Sequence, residues 1–277
     1  MIREQFDLSE KVALVVGGRG FLGRRFSAAL AEFGAHVIAA DLSEDSLAVK
    51  QDPTAPSLTG IEQRVVDVTD VEVVQSLVDG IVAETSRIDA LIYCATAKPK
   101  DFYKPFTECS LEGWRSLLQV ELDGLFLTTQ QVGRIMESKG SGSMVLLSSI
   151  YGLVGNDQRI YEGTNLAELY VGDTSREAKQ IYAHAGYAAA KGAVISLTRF
   201  LAAYWGEHGI RVNCISPGGL AHPGESEDFV RKYSERVPLG RKAGLDEVSG
   251  AVVFLASDAS SYVTGHNLVV DGGWTAW

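Results

Sequence analysis

Short apolar runs alternate with segments of helical periodicity along the whole 277-residue chain. This alternation is typical of strand and helix units that stack into a parallel sheet. Strands are predicted at residues 12–16, 36–40, 63–66, 90–94, 143–148, 211–215 and 267–270. Helical segments fall between them, notably at 22–33, 71–84, 111–138, 187–207 and 245–256. The sequence therefore predicts an α/β fold with one doubly wound parallel sheet of about seven strands, flanked by helices.

The composition argues against several classes of protein. Hydrophobic residues make up 46% of the chain, which is ample for a large core, and no run approaches the ~18 to 20 apolar residues of a membrane span. Residues 1–10 carry charges where a signal peptide has an apolar core, so a cytoplasmic location is the default expectation. The net charge of -10 argues against a nucleic-acid or membrane partner. The three cysteines are far apart and form no C-x-x-C pair, so neither a disulfide framework nor a metal site is expected.

A glycine-rich turn joins the first predicted strand to the first helix. It reads Gly17-Gly18-Arg19-Gly20-Phe21-Leu22-Gly23. Glycines let the backbone turn tightly and approach a pyrophosphate, whose charge is met by free amides at the helix start. Ordinary structural turns also produce such runs, but the strand before and the helix after favour a phosphate-binding turn.

Two aspartates close the strands that follow. Asp41 lies 24 residues after Gly17, where a carboxylate can accept hydrogen bonds from an adenosine ribose and repel a 2'-phosphate. Asp41 therefore favours NAD over NADP, although Arg19 in the glycine turn could favour NADP. Asp67 is placed to meet the adenine edge. Each aspartate has a purely structural alternative, which is to cap the residues that follow it.

Tyr187 and Lys191 lie four residues apart in a predicted helix, on one face. A tyrosine titrates near pH ~10 and is a poor acid or base at neutral pH unless a positive charge favours its phenolate. Lys191 is placed to supply that charge. The pair indicates proton transfer at a hydroxyl or carbonyl group.

Together these features resemble the short-chain dehydrogenase/reductase family in its compact, single-domain form. Residues 210–219 and 254–273 strengthen the likeness, which covers nearly the whole chain, so one domain over 1–277 is expected. The resemblance implies a Rossmann sheet carrying NAD. It also implies hydride transfer between nicotinamide and a secondary alcohol or ketone.

The resemblance assigns roles to individual residues. Tyr187 becomes the general acid/base, Lys191 lowers its pKa and holds the nicotinamide ribose, and Ser149 hydrogen-bonds the reacting oxygen. The residues expected to contact the cofactor are Gly17, Arg19, Gly20, Phe21, Leu22, Gly23, Asp41, Asp67, Val68, Ala95, Tyr187, Lys191, Pro217, Gly218 and Leu220.

The chain departs from the compact branch in its cofactor region. The G-x-x-G-x-x-G spacing of its turn resembles the extended branch, which contains sugar-nucleotide epimerases and dehydratases. The family's Asn-Asn-Ala-Gly appears as Tyr93-Cys94-Ala95-Thr96, which retains only the alanine.

Two further departures concern titratable groups. Glu121 stands at the asparagine of the catalytic tetrad, whose backbone carbonyl helps to hold a water beside the lysine in the family. A glutamate could keep that role, or its side chain could extend or redirect the proton relay. His222 replaces the threonine of the nicotinamide loop and is either an extra titratable group near the site or, more conservatively, an exposed loop histidine.

An insertion at about residues 153–185 separates Ser149 from Tyr187 by 38 residues, where the compact branch has roughly a dozen. It follows a predicted strand end, where ligands bind in open parallel sheets, and its polar and aromatic content suits a hydroxyl-rich substrate. A solvated loop or a subunit contact would have the same composition. Residues 174–177 resemble a capping box and predict a short helix. Short segments around Ser149, Tyr161 and Pro217 also resemble enzymes of bacterial surface-sugar and nonulosonate pathways.

The leading hypothesis is an NAD(H)-dependent oxidoreductase acting on a sugar-like or polyol-like small molecule. The glycine spacing raises a second reading, a sugar-nucleotide epimerase or dehydratase that retains its NAD. Glu121 and the altered segment at 93–96 raise a third, an NAD-sensing binding protein without catalysis. The resemblance further implies a homo-oligomer, a homotetramer or dimer formed through the long helices. The C-terminal residues 274–277 either join that interface or form a buried intrachain tail.

Overall fold

The computed structural model describes residues 1–43, 52, 54–173 and 180–277. Within these residues, seven strands form one sheet in the order β3-β2-β1-β4-β5-β6-β7, with every neighbouring pair parallel. The strands are β1 (Val12–Val16), β2 (His36–Asp41), β3 (Glu62–Val65), β4 (Ala90–Tyr93), β5 (Gly142–Leu147), β6 (Ile210–Pro217) and β7 (Asn267–Val270). The predicted fold class is confirmed.

Helices cover both faces of the sheet. They are α1 (Gly23–Glu32), α2 (Val71–Thr85), α3 (Leu111–Leu118), α4 (Gly124–Lys139), α5 (Leu166–Val171), α6 (Ala185–Trp205), α7 (Glu227–Ser234) and α8 (Ser249–Ala256). The long helix predicted at 111–138 is divided between α3 and α4 by a π-helical turn at Gln119–Asp123. Such turns concentrate at functional sites, and this one contains the buried Glu121.

Alternate residues of each central strand enter different cores. In β1, Leu14 joins a cluster with Leu125 and Val194 of α4 and α6, whereas Val15 joins Phe26 of α1 in a cluster that includes α8. Strands buried on both faces need apolar side chains at every position, which is why they appear in the sequence as unbroken apolar runs.

The strand order creates a crevice at one edge of the sheet. Strand β1 lies between β2 and β4. The strands that follow β1 in the chain are added first on its β2 side and then, from β4 onward, on its other side, so the direction of the strand order reverses at β1. Ligands bind in open sheets where the strand order reverses in this way, beyond the carboxyl ends of the strands. Gly17, Asp41, Ala95, Ser149 and Gly218 all lie at that edge, because each is at or just beyond a strand end.

The part of the insertion that the structure describes is folded. It contains a 3-10 turn at Gln158–Tyr161 and helix α5, and it packs against α7 through a separate apolar cluster that includes Ile160, Leu166 and Phe229. The capping box predicted at 174–177 lies outside the described residues. Within the described residues no helix is both long and apolar enough to cross a membrane.

The packing of α4 against α6 gives a test of this arrangement. A Cβ built on Gly133 would lie 2.2 Å from two ring atoms of the buried Trp205, so Gly133→Ala overpacks the contact and is expected to lower the free energy of unfolding by about 1 to 3 kcal/mol. Gly80→Ala in α2 is the matched control, because its Cβ would meet nothing within 4 Å. Gly80→Ala is expected to raise the free energy of unfolding by about 0.5 to 1 kcal/mol. Equal effects of the two changes in denaturant unfolding would contradict the packing.

Candidate active site

A cavity of about 620 Å³ lies between the carboxyl edge of the sheet and the insertion. One part is lined by the predicted cofactor residues, and the other by side chains of the insertion, of α7 and of the loop after β4. The predicted cofactor residues that line it are Gly17, Gly20, Phe21, Leu22, Gly23, Asp41, Asp67, Val68, Ala95, Tyr187, Lys191, Pro217, Gly218 and Leu220. Arg19 does not line it.

The glycine turn has the geometry of a phosphate-binding loop. Gly17 has φ +80°, and a Cβ there would lie 2.6 Å from the Ala95 amide nitrogen. A Cβ on Gly23 would lie 2.0 Å from the Gly17 carbonyl oxygen. In the described part of the chain the amides of Phe21 and Leu22 find no backbone acceptor. Free amides at the start of α1, beside a turn whose glycines leave no room for a Cβ, fit the pyrophosphate of a dinucleotide.

Asp41 fixes the shape of this turn. One carboxylate oxygen accepts from the Arg19 amide at 3.0 Å, and the other accepts from the Leu42 amide at 2.8 Å. The structural role left open by the sequence is therefore present. A carboxylate has about four acceptor positions, so two remain for ribose hydroxyls. The Arg19 guanidinium instead donates to the Ser43 carbonyl at 2.6 Å.

Asp67 also combines both of its possible roles. It accepts from the Thr69 amide at 2.9 Å and the Thr69 hydroxyl at 2.7 Å while lining the cavity. Val68 beside it is buried. The adenine contact stays a prediction.

Tyr187 and Lys191 lie one turn apart on α6. The Lys191 ammonium is 5.3 Å from the centre of the Tyr187 ring. It donates to the Leu147 carbonyl at 2.9 Å and pairs with a Glu121 carboxylate oxygen at 2.6 Å. An ammonium has three N–H groups, so one is left for a cofactor ribose.

Ser149 meets Tyr187 despite the long insertion between them. Ser149 follows β5, its hydroxyl accepts from the Tyr151 amide at 3.2 Å, and it hydrogen-bonds Tyr187. The structure therefore brings together the three residues that the sequence grouped as catalytic. Whether they perform catalysis stays a prediction.

The charges around Tyr187 oppose one another. Burial raises the pKa of the Tyr187 phenol, Lys191 lowers it, Glu121 raises it and the Ser149 hydrogen bond lowers it, with a net upward shift. Lys191 thus acts in the expected direction but is outweighed. Burial would lower the pKa of Lys191, yet Glu121 and Tyr187 raise it overall, so the ammonium stays charged.

Glu121 is held by residues that replace the family's Asn-Asn-Ala-Gly segment. The Thr96 hydroxyl donates to the Glu121 carboxylate, and the Tyr93 hydroxyl donates to the Val120 carbonyl. Glu121 is 1% exposed, and its carboxylate contacts Lys191 directly. The separate sequence departures at 93, 96 and 121 therefore form one structural unit.

His222 is not an exposed loop histidine, so the conservative reading of the sequence is wrong. It is buried between the rings of Phe21 and Tyr170, at 4.7 and 5.2 Å between centres. Its Nδ1 lies 2.6 Å from the Pro223 carbonyl oxygen. Burial lowers the pKa of the imidazole, which favours the neutral form. The loop is too crowded by the insertion to leave this side chain in solvent.

Sequence reasoning missed a charged group at the far part of the cavity. Glu225 and Lys242, both almost completely buried, form an ion pair there, and the Lys242 ammonium lies 4.7 Å from the centre of the Phe229 ring. Lys98, on the loop after β4, lines the same part. The one feature of the sequence that could have indicated Lys98 as a cavity residue is its position shortly after the end of a strand. Nothing in the sequence pairs Glu225 with Lys242. Among the described residues no cluster of His, Cys, Asp or Glu could hold a metal ion.

Known proteins are similar to this chain in sequence and in fold over nearly its whole length. A D-threitol dehydrogenase of Mycolicibacterium smegmatis is 34% identical over 98% of this chain and 95% of its own length. A short-chain dehydrogenase from Leptospira borgpetersenii, solved with bound NAD+, is 31% identical with a TM-score of 0.81 and covers 98% of this chain and 95% of its own. A gluconate 5-dehydrogenase from Burkholderia cenocepacia, solved with NADP and tartrate, is 29% identical with a TM-score of 0.80, and each chain is covered in full.

Family models match the two halves of the chain. One described as short chain dehydrogenase matches residues 11–162, and one described as Enoyl-(Acyl carrier protein) reductase matches residues 171–275. The narrower likeness to surface-sugar and nonulosonate enzymes is not confirmed by these relatives. The matches, together with the parallel sheet and the Ser149, Tyr187 and Lys191 arrangement, show that the chain belongs to the short-chain dehydrogenase/reductase family.

Proposed function

We propose that this protein is an NAD(H)-dependent oxidoreductase that interconverts a secondary alcohol and a ketone on a sugar-like or polyol-like substrate. The observation that carries the proposal is the convergence of Ser149, Tyr187 and Lys191 on one cavity that also contains a phosphate-binding turn. The relative named for D-threitol supports a substrate with several hydroxyl groups. The hydroxyl groups of Tyr151 and Tyr161 and the amide of Asn156, which line the cavity, support the same kind of substrate.

The residues of the chain can handle the proton and the reacting oxygen. A bound nicotinamide accepts or supplies the hydride at its C4 atom. In the oxidation, the carbinol carbon loses a hydride, its hydroxyl proton passes to the Tyr187 phenolate, and a C=O bond forms. Ser149 donates a hydrogen bond to the reacting oxygen. Lys191 holds the cofactor ribose with its remaining N–H and offsets the charge of the phenolate.

The preference for NAD over NADP rests on Asp41. Its carboxylate lines the cavity at the end of β2, while the nearest loop cation, Arg19, is engaged by the Ser43 carbonyl. A 2'-phosphate there would meet the negative charge of Asp41. We expect kcat/KM to be at least about tenfold higher with NAD than with NADP. Equal or better use of NADP in a steady-state assay would contradict this assignment.

Tyr187→Phe tests the proposed chemistry. The change removes only the hydroxyl, so turnover should fall by about 10² to 10⁴-fold while NADH binding and thermal stability are retained. The assay follows NADH formation from a panel of polyols and sugar acids. Turnover within a factor of two of the wild type would rule out Tyr187 as the acid/base.

The two alternative functions are less well supported. All three proposed catalytic side chains line one cavity, and Ser149 hydrogen-bonds Tyr187, which disfavours a sensor without catalysis. The chain matches proteins named as dehydrogenases over 98% of its residues, which disfavours an epimerase or dehydratase. Net release of NADH during turnover would distinguish a dehydrogenase from an enzyme that retains its NAD.

We also propose that the protein is a homo-oligomer, most simply the homotetramer that the resemblance implies. Phe126 on α4 and Phe200 and Tyr204 on α6 are exposed large rings, and the last two stack 6.1 Å apart. Exposed aromatic patches of this kind mark protein contacts. Trp274 instead stacks on Tyr233 within the chain, 4.4 Å between centres, so this part of the C-terminal segment is an intrachain contact.

Light scattering coupled to size exclusion tests the oligomer. The wild type should have a multiple of the 29.8 kDa chain mass, and Phe200→Glu should lower it. A wild-type mass of one chain would contradict the proposal.

A further inference from the structure

The part of the cavity beyond Tyr187, which we call the substrate end, has one unbalanced positive charge. The lysines that line the cavity as a whole are Lys98, Lys191 and Lys242. Two carboxylates lie beside them: Glu121 pairs with Lys191, and Glu225 pairs with Lys242. Among the lysines of the cavity this leaves Lys98 without an acidic partner in the described residues, in a protein whose net charge is -10.

Lys98 is well placed to contact a ligand. Its ammonium lies 4.0 Å from the centre of the Tyr170 ring, on the opposite wall formed by α5. It makes no hydrogen bond or ion pair to any described residue, and the side chain is exposed to the open cavity. The surrounding walls desolvate it and lower the pKa of the ammonium to about 8, against the opposing effect of Glu121 and Glu225. It is still largely protonated at neutral pH.

His184 also lines the cavity and supplies a second unmatched donor. It is 2% exposed, and its Nδ1 accepts from the Gly186 amide at 3.1 Å. That hydrogen bond places the ring proton on Nε2, which has no partner among the described residues. Burial lowers the pKa of His184 and keeps the ring neutral. A buried N–H without an acceptor is costly, so this group too points to a ligand acceptor.

We propose that the substrate of this enzyme carries a carboxylate, bound at the substrate end by the Lys98 ammonium, and is therefore a polyhydroxy acid and not a neutral polyol. The inference rests on the proposed oxidoreductase function and narrows its substrate class. A single negative charge balances the single unpaired lysine. A phosphate monoester carries about −1.5 to −2 at neutral pH and would exceed that balance. Hydrogen bonds from Nε2 of His184 suit either a carboxylate oxygen or a neighbouring hydroxyl.

The first test is binding, which does not depend on turnover. Isothermal titration of the NADH-loaded protein compares D-gluconate with D-glucitol, which has the same carbon chain but no charge. We expect D-gluconate to bind at least about tenfold more tightly, and Lys98→Met to remove that preference. Lys98→Arg should restore part of it. Lys100→Met is the matched control, because Lys100 is an exposed lysine two residues away that does not line the cavity.

The second test is kinetic. For each aldonate and its matching alditol of four to six carbons, the ratio of their kcat/KM values should favour the aldonate in the wild type and fall towards one in Lys98→Met. The loss should appear mainly in KM for the aldonate, because Lys98 contacts the acid group and not the reacting carbon.

Several results would overturn the proposal. These are equal affinity of the wild type for D-gluconate and D-glucitol, or the same charge preference in Lys98→Met as in Lys100→Met. Tighter binding of D-glucitol 6-phosphate than of D-gluconate would assign the subsite to a phosphate ester. A change of more than about threefold in the NADH dissociation constant of Lys98→Met would assign Lys98 to the cofactor. Failure of the wild type to oxidise any alcohol would count against the proposed function alone, because the titration still decides the subsite.

Discussion

The buried pair of Lys191 and Glu121 connects four separate parts of the fold. Lys191 belongs to α6 and also contacts the Leu147 carbonyl at the end of β5, while Glu121 belongs to the π-helical turn and is held by Thr96 after β4. Each of these segments contributes a wall of the cavity. Breaking a buried ion pair typically costs about 3 to 5 kcal/mol, so the position of Lys191 and the packing of these walls depend on the same contact.

This pair also affects the pKa of Tyr187, the residue that we propose as the general acid/base. A lone lysine would pull the pKa of Tyr187 downwards, but Glu121 opposes it and burial outweighs it. A second lysine of the cavity is also neutralised by a carboxylate, because Glu225 pairs with Lys242. In the substrate subsite that we propose, electrostatic recognition falls to Lys98, the one cavity lysine without an acidic partner among the described residues. Lys191 then serves Tyr187, and Lys98 serves the charge of the proposed substrate.

The sequence predicted best what depends on local pattern. Strands buried on both faces appear as apolar runs, so six of the elements that position the site, from β1 to β6, were found within two residues or so of their ends. The glycine turn and the Tyr187 to Lys191 spacing are local as well. The π-helical turn was not predicted, because the buried contact of its Glu121 with a lysine 70 residues further along is not a local pattern. The sequence offered His222 as a titratable group near the site or as an exposed loop residue and favoured the exposed one, because its burial depends on packing against distant residues. The pairing of Glu225 with Lys242 is also non-local and was missed.

The central claim is that Glu121, through its contact with Lys191, raises the pKa of Tyr187. Ultraviolet titration of tyrosinate measures this directly when the spectrum of Tyr187→Phe is subtracted from that of the parent protein, because the difference isolates one of the 10 tyrosines. In the otherwise wild-type protein, Tyr187 should ionise above the ordinary value of ~10. In Glu121→Gln, titrated against its own Tyr187→Phe partner, it should ionise at a lower pH. Ionisation at the same or a higher pH in Glu121→Gln would contradict the account.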